Sequence, residues 1–240
     1  MFFETPLPSA SSTDPPGRRV LLHLDRVTKC DSSGVPYFNE LSLLIRSRQS
    51  WGIFNPNYHA LQVLLRCIYE GHLLDKGNII TKSLVSWPIG VAPGLKRSLS
   101  CAENSHFFTS LYGKKGKQRQ EVLLIREMTG LSEESWRQPM IYLSNAQKKS
   151  FKLSLSLAFE FDLFVIDSKA YKVFKRSGLW SQQMQDILED RLRSSSLLLV
   201  GANDSMLAKL CKRALVIDHG NLVFRGTGEE SVSYLRRFTS

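Results

Sequence analysis

The stretch at residues 50–66, SWGIFNPNYHALQVLLR, constrains the chain more than any other. Residues 51–54 form a short apolar run of the kind a buried strand shows. Val63, Leu64 and Leu65 belong to an apolar helix start, and between the two lies a tight loop at 55–60. A strand, a tight loop and a helix is the layout in which backbone N–H groups at a helix N-terminus hold phosphate. That chemistry needs glycines so that the backbone closes round the anion. It also needs a lysine against the β/γ charge and a Ser/Thr hydroxyl for Mg²⁺. The loop carries Asn55, Pro56 and Asn57, then Tyr58, His59, Ala60, Leu61 and Gln62, and so supplies none of these.

With 240 residues the chain is long enough to bury a full core. It holds 32 Lys plus Arg against 22 Asp plus Glu, a net charge of +10. Such an excess favours an anionic partner, nucleic acid or an acidic membrane surface, or else is a dispersed solvated surface. The densest run, 114–119 (KKGKQR), lacks interleaved aromatics and reads as an exposed loop. The four cysteines (Cys30, Cys67, Cys101, Cys211) form no C-x-x-C pair, and the five histidines show no metal-ligand spacing. No apolar run reaches the length of a membrane span, and the first residues lack the basic and apolar regions of a signal peptide. Residues 1–19, rich in Pro and Gly, read as a disordered tail.

Strands are expected at 20–29, 41–45 and 51–54, followed by a helix to about Tyr69. A turn signal at 74–78 precedes short strands at 79–80 and 84–87. Past the Gly/Pro-rich connection at 88–94 the character turns helical. Ser100 and Glu103 have capping-box spacing, and a second helix from about Gln118 stops at Gly130. Residues 151–157 alternate apolar and polar, a strand pattern. Residues 163–166, ending in Asp167, and 197–200 read as buried parallel strands. A helix is expected at 181–193, a short one capped by Asp204, and a hairpin around 218–221. Thr227 and Glu230 cap the last helix.

The segment Val85-Ser86-Trp87-Pro88-Ile89-Gly90 and the order of parts around it give the chain a family likeness. It resembles the ATP-binding subunits of ABC transporters, in the branch serving capsular-polysaccharide and O-antigen exporters, over roughly residues 20–238. Residues 98–112, with Glu103-Asn104 and Leu111-Tyr112, and residues 142–167 continue the likeness. The resemblance implies an α/β fold, the ABC-type P-loop nucleotide-binding domain, with an antiparallel β portion. It also implies an α-helical subdomain at about 95–160, within a domain spanning 20–240. In that family the strand pattern at 151–157 would be overridden by a helix beginning at the signature segment.

The family's motifs carry over residue by residue, and here they depart from the pattern. In the phosphate loop, which also holds Asn57, Asn55 and Ala60 replace two of the glycines, Leu61 the lysine and Gln62 the Mg²⁺ hydroxyl. Asp167 stands at the Mg²⁺-organising position, Ser168 at the general base and Ala202 at the switch histidine. Lys96 replaces the glutamine that follows the sheet. The signature reads Leu143-Ser144-Asn145-Ala146-Gln147, keeping Ser144 and Gln147 but neither glycine. The resemblance therefore implies a pseudo-ATPase subunit of a polysaccharide exporter. No cofactor is expected, with weak ATP/Mg binding as the variant. Implied partners are a membrane permease and a second ATP-binding subunit, as homo- or heterodimer, at the cytoplasmic face of the inner membrane. The alternatives are an active but divergent ATPase of the same class, using Lys96 as the missing cation, and a soluble nucleic-acid- or protein-binding module on an ABC-like fold. No stacking platform or recognition helix favours nucleic acid.

Overall fold

The computed structural model describes residues 18–71, 73–201 and 208–238. In chain order the first elements are β1 (Val20–Cys30), β2 (Pro36–Arg46), β3 (Ser50–Phe54), α1 (Tyr58–Tyr69) and β4 (Lys76–Thr81). A run of helices follows: α2 (Cys101–Tyr112), α3 (Gln118–Thr129), α4 (Glu133–Arg137), a 3-10 turn at Met140–Tyr142 and α5 (Asn145–Ala158). Then come β5 (Leu163–Asp167), α6 (Ser168–Arg176), α7 (Gln182–Ser194), β6 (Ser196–Gly201), β7 (Arg213–Asp218), β8 (Asn221–Gly226) and α8 (Gly228–Phe238).

The strands form two sheets. One is antiparallel, in the order β2-β1-β4. The other runs β5-β6-β3-β7-β8, parallel except for the β7–β8 hairpin. The parallel strands read as unbroken apolar runs because both faces are covered. Successive side chains go to opposite sides: Ile53, Val165 and Leu198 join one apolar cluster, and Phe54, Phe164, Ile166 and Leu199 join the other. The first cluster holds α1 (Leu61, Leu64, Leu65) between the parallel sheet and the antiparallel one (Leu22, Leu24, Ile45). The second holds Trp87 and the helices α2 to α5.

Trp87 joins the helices to the sheet. Its ring meets Phe108, Tyr112 and Phe161 edge-on at centroid distances of 5.4, 5.0 and 5.3 Å. Its indole N–H donates to Ser156 Oγ at 3.0 Å. Ser86 Oγ accepts from the Val165 N–H at 2.8 Å, which locks the segment along β5. Gly90 has φ +82°, and a Cβ there would stand 2.1 Å from the Phe174 ring, so only glycine fits.

Two expectations need correction, and one local pattern gives way to the helix expected from the family likeness. Residues 84–87 make no strand: Val85 forms a single bridge to Leu163. Pro88 then removes a donor, and Trp87 turns into the helical core. The turn signal at 74–78 overlaps β4, which begins at Lys76. Gly77 (φ +78°) packs against the carbonyls of Asp25 and Arg26, where the ladder shifts register. The alternation at 151–157 belongs to α5, a helix, as the family likeness implied. From Ser150 onward that helix is buried nearly all round. Ser154 and Ser156 are inside it, and their hydroxyls donate to the carbonyls of Ser150 and Lys152 at 3.0 and 2.9 Å. Small serines that satisfy themselves within the helix can sit in a core, so polarity there did not mark an outward face.

Other readings hold closely. Ser100 and Glu103 close a capping box on α2, and Gly130 (φ +61°) ends α3 in the left-handed region. His219 and Gly220 take φ of +46° and +80° in the β7–β8 turn. Thr227 and Glu230 bond each other's backbone N–H at 2.8 and 3.2 Å at the start of α8. Of the expected tail, residues 1–17 lie outside the described residues. Its last residue, Arg19, accepts from the Ser47 N–H through its carbonyl and pairs with Asp162 at 2.5 Å. The cap expected at Asp204 also lies outside the described residues.

Candidate functional site

The strand–loop–helix unit stands where its sequence placed it, with β3 central in the parallel sheet and three residues between its end and the start of α1. The loop is closed by its own side chains. Asn55 is 2% exposed, and its Oδ1 accepts from the Asn57 N–H at 2.8 Å. The Asn55 N–H donates to the Gly201 carbonyl at 3.1 Å, tying the loop to the end of β6. Asn57 is the N-cap of α1: its Oδ1 accepts from the His59 and Ala60 N–H groups at 3.0 and 3.3 Å. These are first-turn donors that a bound anion would otherwise take. No residue from 55 to 62 has a positive φ, so the backbone makes no left-handed turn here. Ala60 and Leu61 are 3% and 1% exposed, and Leu61 packs with Ile53, Leu64 and Leu65 in the core.

Asp167, at the end of β5, is brought to this loop. Tyr58 O–H donates to its Oδ2 at 2.6 Å, and Gln62 Nε2 donates to the same oxygen at 2.8 Å. Gln62 also donates to the Tyr58 oxygen at 2.6 Å, so the phenol both gives and receives a hydrogen bond. The other carboxylate oxygen, Oδ1, caps α6 by accepting from the Lys169 and Ala170 N–H groups at 2.9 and 3.2 Å. Both oxygens of a 4% exposed carboxylate are thus engaged within the chain. Burial, and next the hydrogen bond to Asp167, push the Tyr58 phenol well above its ordinary range. Lys169 Nζ lies 4.4 Å from the centroid of the Tyr58 ring, a cation–π distance.

Tyr58 and Gln62 stand one helical turn apart, which is why they reach the same oxygen. Sequence reading saw them only as replacements for lost groups. The signal available was that i, i+4 spacing opposite an acidic strand end. It also missed Lys169 and pointed to Lys96. The Lys96 backbone is held by Asn104, whose side chain accepts from its N–H at 3.0 Å and donates to its carbonyl at 2.9 Å. Beside the loop, Tyr37 O–H lies 3.3 Å from His59 Nε2, with the rings edge-on at 5.3 Å. The structure places Ser168 at the start of α6, 4% exposed, so close to Gly201 that a Cβ there would meet its Oγ at 2.4 Å. Ala202 lies outside the described residues.

Ser144 and Gln147 are held in a second arrangement, at the start of α5. Ser144 Oγ accepts from the Gln147 N–H at 3.2 Å, and Gln147 Oε1 accepts from the Ser144 N–H at 2.8 Å. This is a capping box, and Gln147 also donates to Ser135 Oγ at 3.2 Å. Among the described residues no group of three His, Cys, Asp or Glu side chains could hold a metal ion, and no helix is long and apolar enough to cross a membrane.

No protein-family model matches the chain. It is 27% identical over 186 residues to the polysialic acid transport ATP-binding protein KpsT of Escherichia coli, covering 78% of this chain and 81% of that protein. To the capsule polysaccharide export ATP-binding protein CtrD of Neisseria meningitidis serogroup B it is 21% identical over 187 residues, covering 77% and 82%. Among solved structures, an ATP-binding subunit of an ABC transporter superposes with a TM-score of 0.67 at 13% identity, covering 91% of this chain and 93% of that one. The chain therefore has the ABC ATPase fold, α/β with a parallel and an antiparallel sheet, and its homologues are ATP-binding proteins of capsule polysaccharide and polysialic acid transport.

Proposed function

We propose that this chain is a silent ATP-binding-type subunit of an ABC exporter of capsule-like polysaccharide, contributing structure rather than hydrolysis. It works beside a membrane permease, paired with a second subunit of the same fold, at the cytoplasmic face of the membrane. Its charge of +10 suits an anionic leaflet. The likeness to KpsT and CtrD supports the transporter part.

The observation that carries the silent part is the engagement of Asp167. An oxygen shared by Tyr58 and Gln62, and a second one capping α6, leave the carboxylate nothing to offer a metal ion. A Mg-bound triphosphate does not fit the other residues either. The amides of His59 and Ala60 are capped by Asn57, and Leu61 is buried where a cation would have to reach out. Ser168, a neutral hydroxyl, is a poor base near neutral pH.

The test is a thermal-unfolding titration of the full chain. Millimolar Mg-ATP leaves Tm unchanged, because a ligand that does not bind the folded state cannot stabilise it. A saturable upward shift, or Mg²⁺-dependent phosphate release with or without the permease, overturns the reading. One observation favours an active, divergent ATPase: Lys169 supplies a cation at the loop. On that reading Lys169→Ala abolishes phosphate release, and absence of any release in the parent chain removes the reading.

A further inference from the structure

Cations gather at the end of β3 opposite the 55–62 loop. Three segments meet there: residues 18–19 leading into β1, the turn at 46–49 joining β2 to β3, and residues 212–213 at the start of β7. The Ser47 N–H donates to the Arg19 carbonyl at 2.8 Å, and the Lys212 N–H donates to Ser50 Oγ at 3.0 Å. These bonds bring Arg18, Arg19, Arg46, Arg48, Lys212 and Arg213 to one end of the sheet, on segments that hold no Asp or Glu. Asp162 reaches Arg19 at 2.5 Å. The turn is firmly built. Gln49 is buried, and its Oε1 accepts from the Arg46 N–H at 2.9 Å and from the Trp51 indole N–H at 3.1 Å. The Arg213 guanidinium carbon lies 5.7 Å from the centroid of the same Trp51 ring. Arg48 takes φ +61°, a left-handed conformation that glycine or asparagine adopts more easily than a long side chain. Arg48 and Lys212 are exposed and make no ion pair among the described residues.

We infer that this end of the sheet docks an acidic segment of a partner protein, whose carboxylates pair with Arg48, Lys212 and the guanidiniums beside them. Charge complementarity selects an anionic occupant. Five of the six cations are arginines, the side chain whose planar fork matches a carboxylate and which protein interfaces favour over lysine. A strained turn that presents arginine where glycine would sit more easily fits a position kept for its charge. Leu210, two residues before Lys212, is 44% exposed and gives the partner an apolar contact next to the cations. One leucine is too little to anchor the surface in a bilayer. The nearest aromatic, Trp51, is 5% exposed and offers no face for stacking bases, which disfavours nucleic acid. The inference is independent of whether the 55–62 loop holds nucleotide, since that loop lies beyond the other end of β3.

The experiment follows the fluorescence anisotropy of a labelled synthetic peptide of glutamate and leucine against the full chain. Its counterpart carries glutamine for glutamate. The glutamate peptide binds, and added salt weakens it. Arg48→Glu with Lys212→Glu lowers its affinity about tenfold, the effect of turning two weak ion pairs into repulsions. Lys76→Glu with Lys149→Glu, the same change in net charge at exposed positions on β4 and α5, leaves affinity unchanged. Arg48→Asn, better suited to the left-handed turn, lowers affinity a few-fold without lowering Tm. Circular dichroism stays the same for all variants. Equal binding of the two peptides, or equal losses in the two double variants, overturns the inference. So does tighter binding of phosphatidylglycerol vesicles or a single-stranded oligonucleotide that the Arg48/Lys212 variant abolishes.

Discussion

The starts of α1 and α5 solve one problem in two ways. Each helix has first-turn N–H groups without intrahelical partners, and in each a side chain of the chain itself takes them. At α5 the solution is local: Ser144 and Gln147 serve each other, and Ser144 is exposed. At α1 it is tertiary. Asn57 caps the helix, and Tyr58 and Gln62 then reach Asp167 on another strand, buried between elements far apart in sequence. A local cap is worth its own hydrogen bonds. A buried hub fixes three elements at once, and losing one member strands the others without water to replace it.

That contrast can be broken most severely at the hub. Asp167→Ala removes the cap of α6 and leaves Tyr58 O–H and Gln62 Nε2 with only each other, at a cost of about 3 kcal/mol in chemical denaturation. Asp167→Asn, which keeps an acceptor for the cap, costs about half as much. A loss below about 1 kcal/mol for the alanine variant would mean the hub is no tighter than a surface contact.

Tyr58→Phe keeps the ring and deletes one bond, so the expected loss is about 1 kcal/mol at neutral pH. The same residue sets a pH dependence. Burial and Asp167 raise the folded phenol above its ordinary value, so its contribution is whole below about pH 10 and is lost as pH rises through the raised value. The parent chain therefore loses stability above pH 10 more steeply than Tyr58→Phe. Parallel curves would show that the phenol is not held neutral by its surroundings.

Ser144→Ala gives the smallest effect, about 0.5–1 kcal/mol. It leaves the alkaline titration of Tyr58, followed by ultraviolet absorbance, where it was. A larger loss would place α5's cap in the same class as the hub.

The order and type of most elements are legible in the sequence because their signals are local. Ser100 with Glu103, Gly130, and Thr227 with Glu230 each mark a helix end through one turn of backbone. The buried strands at β5 and β6 read as apolar runs because helices and a second sheet cover both faces. Local signals failed where burial is all round. The serines of α5 imitate a strand, since their hydroxyls are satisfied inside the helix and polarity no longer reports exposure. They failed again at 84–87, where one bridge and Trp87's rings hold the chain without a ladder.

The sequence by itself determined that a strand–loop–helix unit lies at residues 50–66, and that it has neither the glycines nor the lysine and hydroxyl of a phosphate loop. Composition of a short segment is enough for that, because a missing side chain cannot be supplied by folding. Only the tertiary structure decided what fills the place: which oxygen of Asp167 faces Tyr58 and Gln62, and that Lys169 arrives over the ring. Those partners lie on α1, β5 and α6, and they meet because parallel strands end at one edge of the sheet and start their helices there. Distance along the chain carries no trace of that meeting.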